Sequence, residues 1–153
     1  MMHKRPLLTA LVTGLLLAAG CSSGDTATSD VTTETPSEST DAESAGIRVV
    51  SATEGAAIQA DPPSDLVILD VRTPEEFLEG HLDGAIMLDF YEADFADRVA
   101  ELDPDVPYLL YCRSGSRSGQ TTDIMNDLGF TDVADVDGGI VAWSGAGLEL
   151  VRE

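Results

Sequence analysis

Cysteine is nearly absent from this chain: Cys21 and Cys112 are the only two in 153 residues, so a framework of several disulfides is excluded. Basic residues are almost as scarce. Eight Lys and Arg face 28 Asp and Glu, a formal charge of −20. A surface this acidic repels polyanions, which argues against nucleic acid or an anionic lipid surface as a partner. Most of these acids need no role beyond keeping the protein soluble. Long apolar runs are missing too: the longest, over residues 7–19, falls short of the roughly 20 residues that a membrane-spanning helix needs.

The amino-terminal third has its own composition. Lys4 and Arg5 precede the apolar run, and Leu17-Ala18-Ala19-Gly20-Cys21 places small residues before a cysteine. This pattern resembles a bacterial lipoprotein signal. The resemblance implies removal of residues 1–20 and acylation of Cys21, with the protein anchored by lipid on the extracytoplasmic face of the cell membrane, in the periplasm or at the cell surface. Ala18 stands where Leu is usual in that motif. An ordinary secretory signal cut near Ala19 is the alternative. Without residues 1–20 the chain keeps six arginines against all 28 acids.

Residues 22–46 are almost wholly Ser, Thr, Asp, Glu, Ala and Gly with a single proline, a composition that cannot bury enough apolar surface to offset ordering. They read as a disordered tether with an end-to-end distance of about 25 to 30 Å, or as a glycosylated stalk. With Cys21 the tether spans 21–46, leaving 47–153 to build one small domain.

Within that domain apolar runs alternate with helical patterns. Strands are expected over 47–50, 66–71, 85–88, 108–111 and 132–136, and helices over 53–59, from Thr73-Pro74-Glu75-Glu76 onward, over 92–102, from Ser116 to Gly129 and through Ile140 and Trp143. Thr73 is an N-cap with proline at the first helical position. The helix from Ser116 is expected to bury Ile124, Met125 and Leu128. Strands separated by helices imply right-handed crossovers and an α/β fold, a largely parallel sheet covered on both faces. Ligands bind beyond the carboxyl ends of such strands.

Cys112 stands at one of those ends, after Tyr108-Leu109-Leu110-Tyr111, and opens the loop Cys112-Arg113-Ser114-Gly115-Ser116-Arg117-Ser118-Gly119. Small residues let backbone N–H groups turn inward, and two guanidiniums add positive charge, so the site favours a thiolate. Arg113 and Arg117 are candidates for contact with an anion, Arg117 because a cation in the first turn of a helix opposes the dipole unless something compensates it. Gly115 supplies a backbone shape that a side chain blocks. Asp70 and Arg72 close the second strand and are read as pointing to opposite faces, where ion pairs and hydrogen bonds position neighbouring loops. His81, the only histidine after residue 3, reads as a hydrogen-bonded structural residue rather than a general base, and Trp143 as core.

Four stretches in order resemble a single-domain rhodanese, a sulfurtransferase family. They are Leu69 to Phe77, the Phe77-x3-His81-x2-Gly84-Ala85 signature, the loop from Cys112 to Ser118, and Asp137-Gly138-Gly139-Ile140-Val141-Ala142-Trp143. Asp83 stands where proline is common. The resemblance implies a rhodanese-like fold with a small, mostly parallel five-stranded sheet and helices on both faces. It also implies transfer of a sulfane sulfur from a donor such as thiosulfate, through a Cys112 persulfide, to a nucleophilic acceptor: a thiol, a cyanide-like anion or a protein. Arg113, Ser114, Gly115, Ser116 and Arg117 then bind substrate, Asp70 and Arg72 support, and no metal or organic cofactor takes part. Two rivals stay open. One is a non-catalytic module that carries sulfur or binds a protein; the other is a cysteine phosphatase or arsenate reductase. Phosphatases place five residues between cysteine and arginine, whereas four separate Cys112 from Arg117, and Ser118 holds the phosphatase arginine's place.

Overall fold

Ser51 and Thr73 begin two helices in the same way. Each hydroxyl accepts the N–H three residues on, and the glutamate at that third position, Glu54 or Glu76, accepts the N–H of the cap in return, a reciprocal arrangement that satisfies two otherwise orphaned donors. The computed structural model describes residues 46–152. The expected signal segment, Cys21 and all of the tether before Gly46 lie outside the described residues.

In chain order the elements are β1 (Ile47–Val50), α1 (Ala52–Ala60), β2 (Val67–Asp70), α2 (Pro74–Glu79), β3 (Ile86–Met87), α3 (Phe95–Ala100), β4 (Tyr108–Tyr111), α4 (Ser116–Asp127), β5 (Val133–Val136) and α5 (Gly139–Gly145). The strands form one sheet in the order β1-β5-β4-β2-β3, and every pair is parallel. Central β4 is buried at all four positions, as an uninterrupted apolar run demands of a strand covered on both faces.

Each face carries its own core. Leu69, Leu110, Cys112 and Val133 pack with Phe95 and Val99 of α3 and Met125 of α4. Ile68, Leu109, Tyr111 and Val136 pack on the other side with Ala52 of α1 and Ile140 and Trp143 of α5. The chain leaves β2 toward β3 at one edge and leaves β4 toward β5 on the opposite side, so the order reverses between β2 and β4. That reversal opens a crevice at the carboxyl ends of these two strands.

Three expectations are corrected here. The third strand is two residues long, because only Leu69 and Asp70 of β2 offer it a register. The helix over 92–102 contracts to 95–100, with turns at both ends and no side-chain cap at Asp94. Leu128 is 41 % exposed: α4 ends one residue earlier, and the buried stripe runs through Ser118, Thr121 and Met125.

Candidate active site

Cys112 leaves β4 directly, which puts its thiol at the carboxyl end of the central strand on the α4 side of the sheet. Gly115 then turns the chain back. It holds a left-handed conformation, φ 94° and ψ −20°, as the N-cap of α4, and its N–H donates to Cys112 Sγ at 3.1 Å. A side chain at that φ is strained, so glycine is what lets this amide face the sulfur.

Burial pushes the Cys112 thiol up. The N–H and hydroxyl of Ser118 and the N–H groups of Ser114 and Gly115 outweigh it and hold the thiol below its ordinary range, because each donor stabilises the thiolate and not the neutral form. The N-terminal end of α4 adds its dipole in the same direction. Cys112 as a residue is 1 % exposed, so the sulfur forms the floor of this cradle.

The Gly138-Gly139 turn clamps the loop from behind. Ile140 N–H donates to the Cys112 carbonyl at 2.9 Å and Val141 N–H to the Arg113 carbonyl at 3.2 Å. Gly139 lies so close that a Cβ there falls 2.3 Å from the Cys112 oxygen, at a φ of +56°. Both strain and collision forbid a side chain. Gly139→Ala is therefore expected to displace the Cys112–Arg113 backbone and reduce thiol reactivity at least tenfold, an effect of about 1.4 kcal/mol or more on the barrier; the rate of thiol modification at Cys112 reads it. An unchanged rate in a folded variant contradicts the clamp.

The two loop arginines part company. Arg113 is exposed, makes no ion pair with any described residue, and lines a cavity of about 520 Å³ with Arg72, Glu76, Ile140 and Val141. Arg117 is the second residue of α4 and reaches away from the loop. Its two terminal nitrogens donate to Glu76 Oε2 and Oε1 at 2.7 and 2.9 Å, and the guanidinium lies 5.6 Å from the Tyr91 ring centre. The compensation expected for this first-turn cation comes from a carboxylate, because the capping box of α2 already fixes Glu76 where the planar fork can grip both oxygens. The Arg117 hydrogen bonds, ahead of the opposing effect of burial, hold Glu76 below the usual carboxylate range. Arg117 acts on the sulfur only through its charge, which the thiolate in turn favours.

Ser114 brings its amide to the sulfur, whereas the Ser116 side chain is exposed and its carbonyl accepts from Gln120. Sequence reasoning missed Ser118 as a sulfur ligand. It is fully buried, and its hydroxyl donates to the Gly115 carbonyl at 3.2 Å. The available signal was a small polar residue on the inward stripe of α4, in line with Thr121 and Met125.

Asp70 and Arg72 do not diverge. Asp70 is the last residue of β2 and Arg72 lies two residues past it, in the bend that follows, and the two pair with each other: Arg72 Nε lies 2.9 Å from both Asp70 oxygens and Nη2 lies 2.6 Å from Oδ2. Arg72 Nη2 also donates to the Gly80 carbonyl at 2.9 Å, which ties the end of β2 to the end of α2. Both residues are buried. His81 contacts the Phe77 carbonyl through Nδ1 at 3.0 Å and stacks on the Phe77 ring at 3.7 Å, as expected of a structural histidine. Trp143 is 2 % exposed and donates to the Glu149 carbonyl.

Comparison with known proteins bears on this arrangement. Residues 51–146 match the model of the Rhodanese-like domain family. The chain is 34 % identical over 87 residues to a sulfurtransferase of Allochromatium vinosum, covering 57 % of this chain and 79 % of the relative. It is also 34 % identical over 87 residues to the thiosulfate sulfurtransferase GlpE of Pseudomonas putida, covering 57 % and 77 % of the two chains. Among solved structures it is similar to a rhodanese-related protein from Thermoplasma volcanium, with a TM-score of 0.61 and 26 % identity over 69 % of this chain and 99 % of the other.

Proposed function

This chain belongs to the rhodanese-like domain family, and on that premise we propose that it is a sulfurtransferase that moves sulfane sulfur through a persulfide on Cys112. The carrying observation is the sulfur held 3.1 Å from the Gly115 amide, in a ring of donors that depresses its proton affinity.

The steps balance without a cofactor. The Cys112 thiolate attacks the sulfane sulfur of a donor such as thiosulfate, the S–S bond to the sulfonate breaks, and sulfite leaves with the electron pair. The Cys112–S–S⁻ product keeps one negative charge, and the amides of Ser114, Gly115 and Ser118 are aimed to receive it. A nucleophilic acceptor then takes the terminal sulfur and returns the thiolate. Arg113 is the exposed cation at the mouth and meets the anionic donor, while Arg117 holds α4 to α2. The acceptor is a thiol, a cyanide-like anion or a protein.

Burial of Cys112 favours one second reading, a module that presents the fold or a loaded sulfur to a partner protein without turnover. Release of thiocyanate from thiosulfate and cyanide by the purified protein separates the two, since a folded, reduced protein that forms none contradicts catalysis. Turnover of a phosphate ester dependent on Cys112 contradicts sulfur transfer altogether.

We further propose, on the lipoprotein-like motif of the sequence alone, that this activity is anchored outside the cytoplasm through Cys21. Partitioning into the detergent phase is expected for the expressed protein and is expected to be lost in Cys21→Ala; equal partitioning of the two overturns the anchor.

A further inference from the structure

The cavity beside Arg113 holds more charge than the transfer steps use. Arg72, Glu76, Glu79 and Arg113 all line it. Two of these are already engaged within the fold, Arg72 by Asp70 and Glu76 by Arg117. The other two are not. Arg113 and Glu79 are both exposed, and neither side chain has a hydrogen bond or ion pair with any described residue.

Backbone contacts fix where these two charges stand. Glu79 is the last residue of α2. Its carbonyl accepts from Arg152 Nε at 2.7 Å, and the next carbonyl, that of Gly80, accepts from Arg72 Nη2 at 2.9 Å. A carboxylate at the carboxyl end of a helix opposes the dipole, and no basic residue stands in that last turn to offset it. An arriving cation offsets it instead. Arg113 directly follows the nucleophile, and its carbonyl accepts from the Val141 N–H at 3.2 Å, which ties it to the wall that Ile140, Val141 and Leu150 give the cavity.

A cation, an anion and an apolar wall therefore share one cavity of about 520 Å³ against the sulfur-bearing loop, a volume within the roughly 300–1,000 Å³ of small-molecule sites. A small thiol that carries both an ammonium and a carboxylate satisfies both signs at once. The formal charge of −20 acts in the same direction, since its field repels a thiol of net negative charge and spares a net-neutral one.

We propose that this cavity is the acceptor subsite and that it selects a zwitterionic amino thiol of the cysteine class, with Glu79 binding the ammonium and Arg113 the carboxylate. The inference rests on the sulfur-transfer reading and names its second substrate. Arg113 meets the sulfonate of the donor first and, once sulfite has left, the carboxylate of the acceptor. The acceptor thiol gives its proton to solvent, and its thiolate attacks the terminal sulfur of Cys112–S–S⁻. The bond from that sulfur to Cys112 Sγ breaks, Cys112 leaves as the thiolate with the electron pair, and the acceptor becomes the persulfide. One negative charge enters with the acceptor and one departs on the product, so no further reactant is needed.

Discharge of the full chain, first loaded with sulfur, tests the subsite. The acceptors are cysteine, N-acetylcysteine, which lacks the ammonium, and cysteamine, which lacks the carboxylate. Each is compared between variants, so its own thiol acidity cancels. Glu79→Gln is expected to slow discharge by cysteine and by cysteamine about fivefold, the upper end of what an exposed ion pair supplies, and discharge by N-acetylcysteine by less than about twofold. Arg113→Gln is expected to slow cysteine and N-acetylcysteine more than cysteamine. A Glu79→Gln variant that slows cysteine and N-acetylcysteine equally, or slows neither, overturns the proposal. A second readout needs no loaded sulfur: S-methylcysteine, which has both charges and no thiol, is expected to protect Cys112 from alkylation, and to protect it less in Glu79→Gln. Such protection in a protein that never forms a persulfide supports the subsite and counts against sulfur transfer alone, whereas no protection of the parent protein overturns the subsite.

Discussion

Cys112→Ser is expected to abolish sulfur transfer, lowering thiosulfate-dependent turnover by about 10⁴-fold or more, while Tm moves by no more than about 8 °C. The asymmetry follows from what the cradle is built to hold. Amides of Ser114, Gly115 and Ser118 stabilise negative charge at the residue-112 side chain, and a serine hydroxyl does not ionise at neutral pH. It also has no accessible route to a bond with a second sulfur. The same amides still find an acceptor in the serine oxygen, so no buried donor is orphaned, and the volume lost is small. That limits the stability change to about 1 kcal/mol. Residual turnover within tenfold of the parent protein contradicts Cys112 as the sulfur carrier.

Arg72→Ala is expected to destabilise the fold by about 3–5 kcal/mol, a fall in Tm of more than about 10 °C. Asp70 is fully buried and Arg72 is 3 % exposed, and between them the pair makes four polar contacts of 2.9 Å or less. Removing the guanidinium leaves a carboxylate in the interior without its charge partner. It also releases the Gly80 carbonyl and takes away the cation 5.5 Å from the Tyr111 ring centre. Tyr111 is the last residue of β4, one place before Cys112, so loosening reaches the site. Neutralising the orphan with Asp70→Asn in the Arg72→Ala background is expected to recover about half of the loss. Urea denaturation measures both effects; a change below about 1 kcal/mol in Arg72→Ala shows that the pair is dispensable.

The path from sequence to site was unequally visible. A four-residue apolar run followed by small polar residues marks the end of a buried strand, so the position of Cys112 was legible without any coordinates. The Thr73 cap was equally legible, since capping chemistry is local and its partner Glu76 lies three residues away. What sequence hides is pairing across distance. Arg117 finds Glu76, 41 residues away, and nothing around either residue announces the other. The Asp70–Arg72 pair was misread even though it is local: alternation along a strand puts residues two apart on one face and not on opposite ones, and in the bend after β2 Arg72 meets the Asp70 carboxylate. Ser118 was hidden for a third reason. The sequence marks it only as a small polar residue in a helix, and its place on the buried stripe of α4 shows only once that helix is packed on the sheet.

Intact-mass and peptide mass spectrometry of the protein purified without reductant and exposed to thiosulfate tests the central claim most directly. The account predicts a gain of about 32 Da on the Cys112 peptide, the mass of one sulfur atom, discharged by cyanide and absent from Cys112→Ser. A folded protein whose Cys112 stays unmodified under those conditions, or whose added sulfur maps elsewhere, contradicts it.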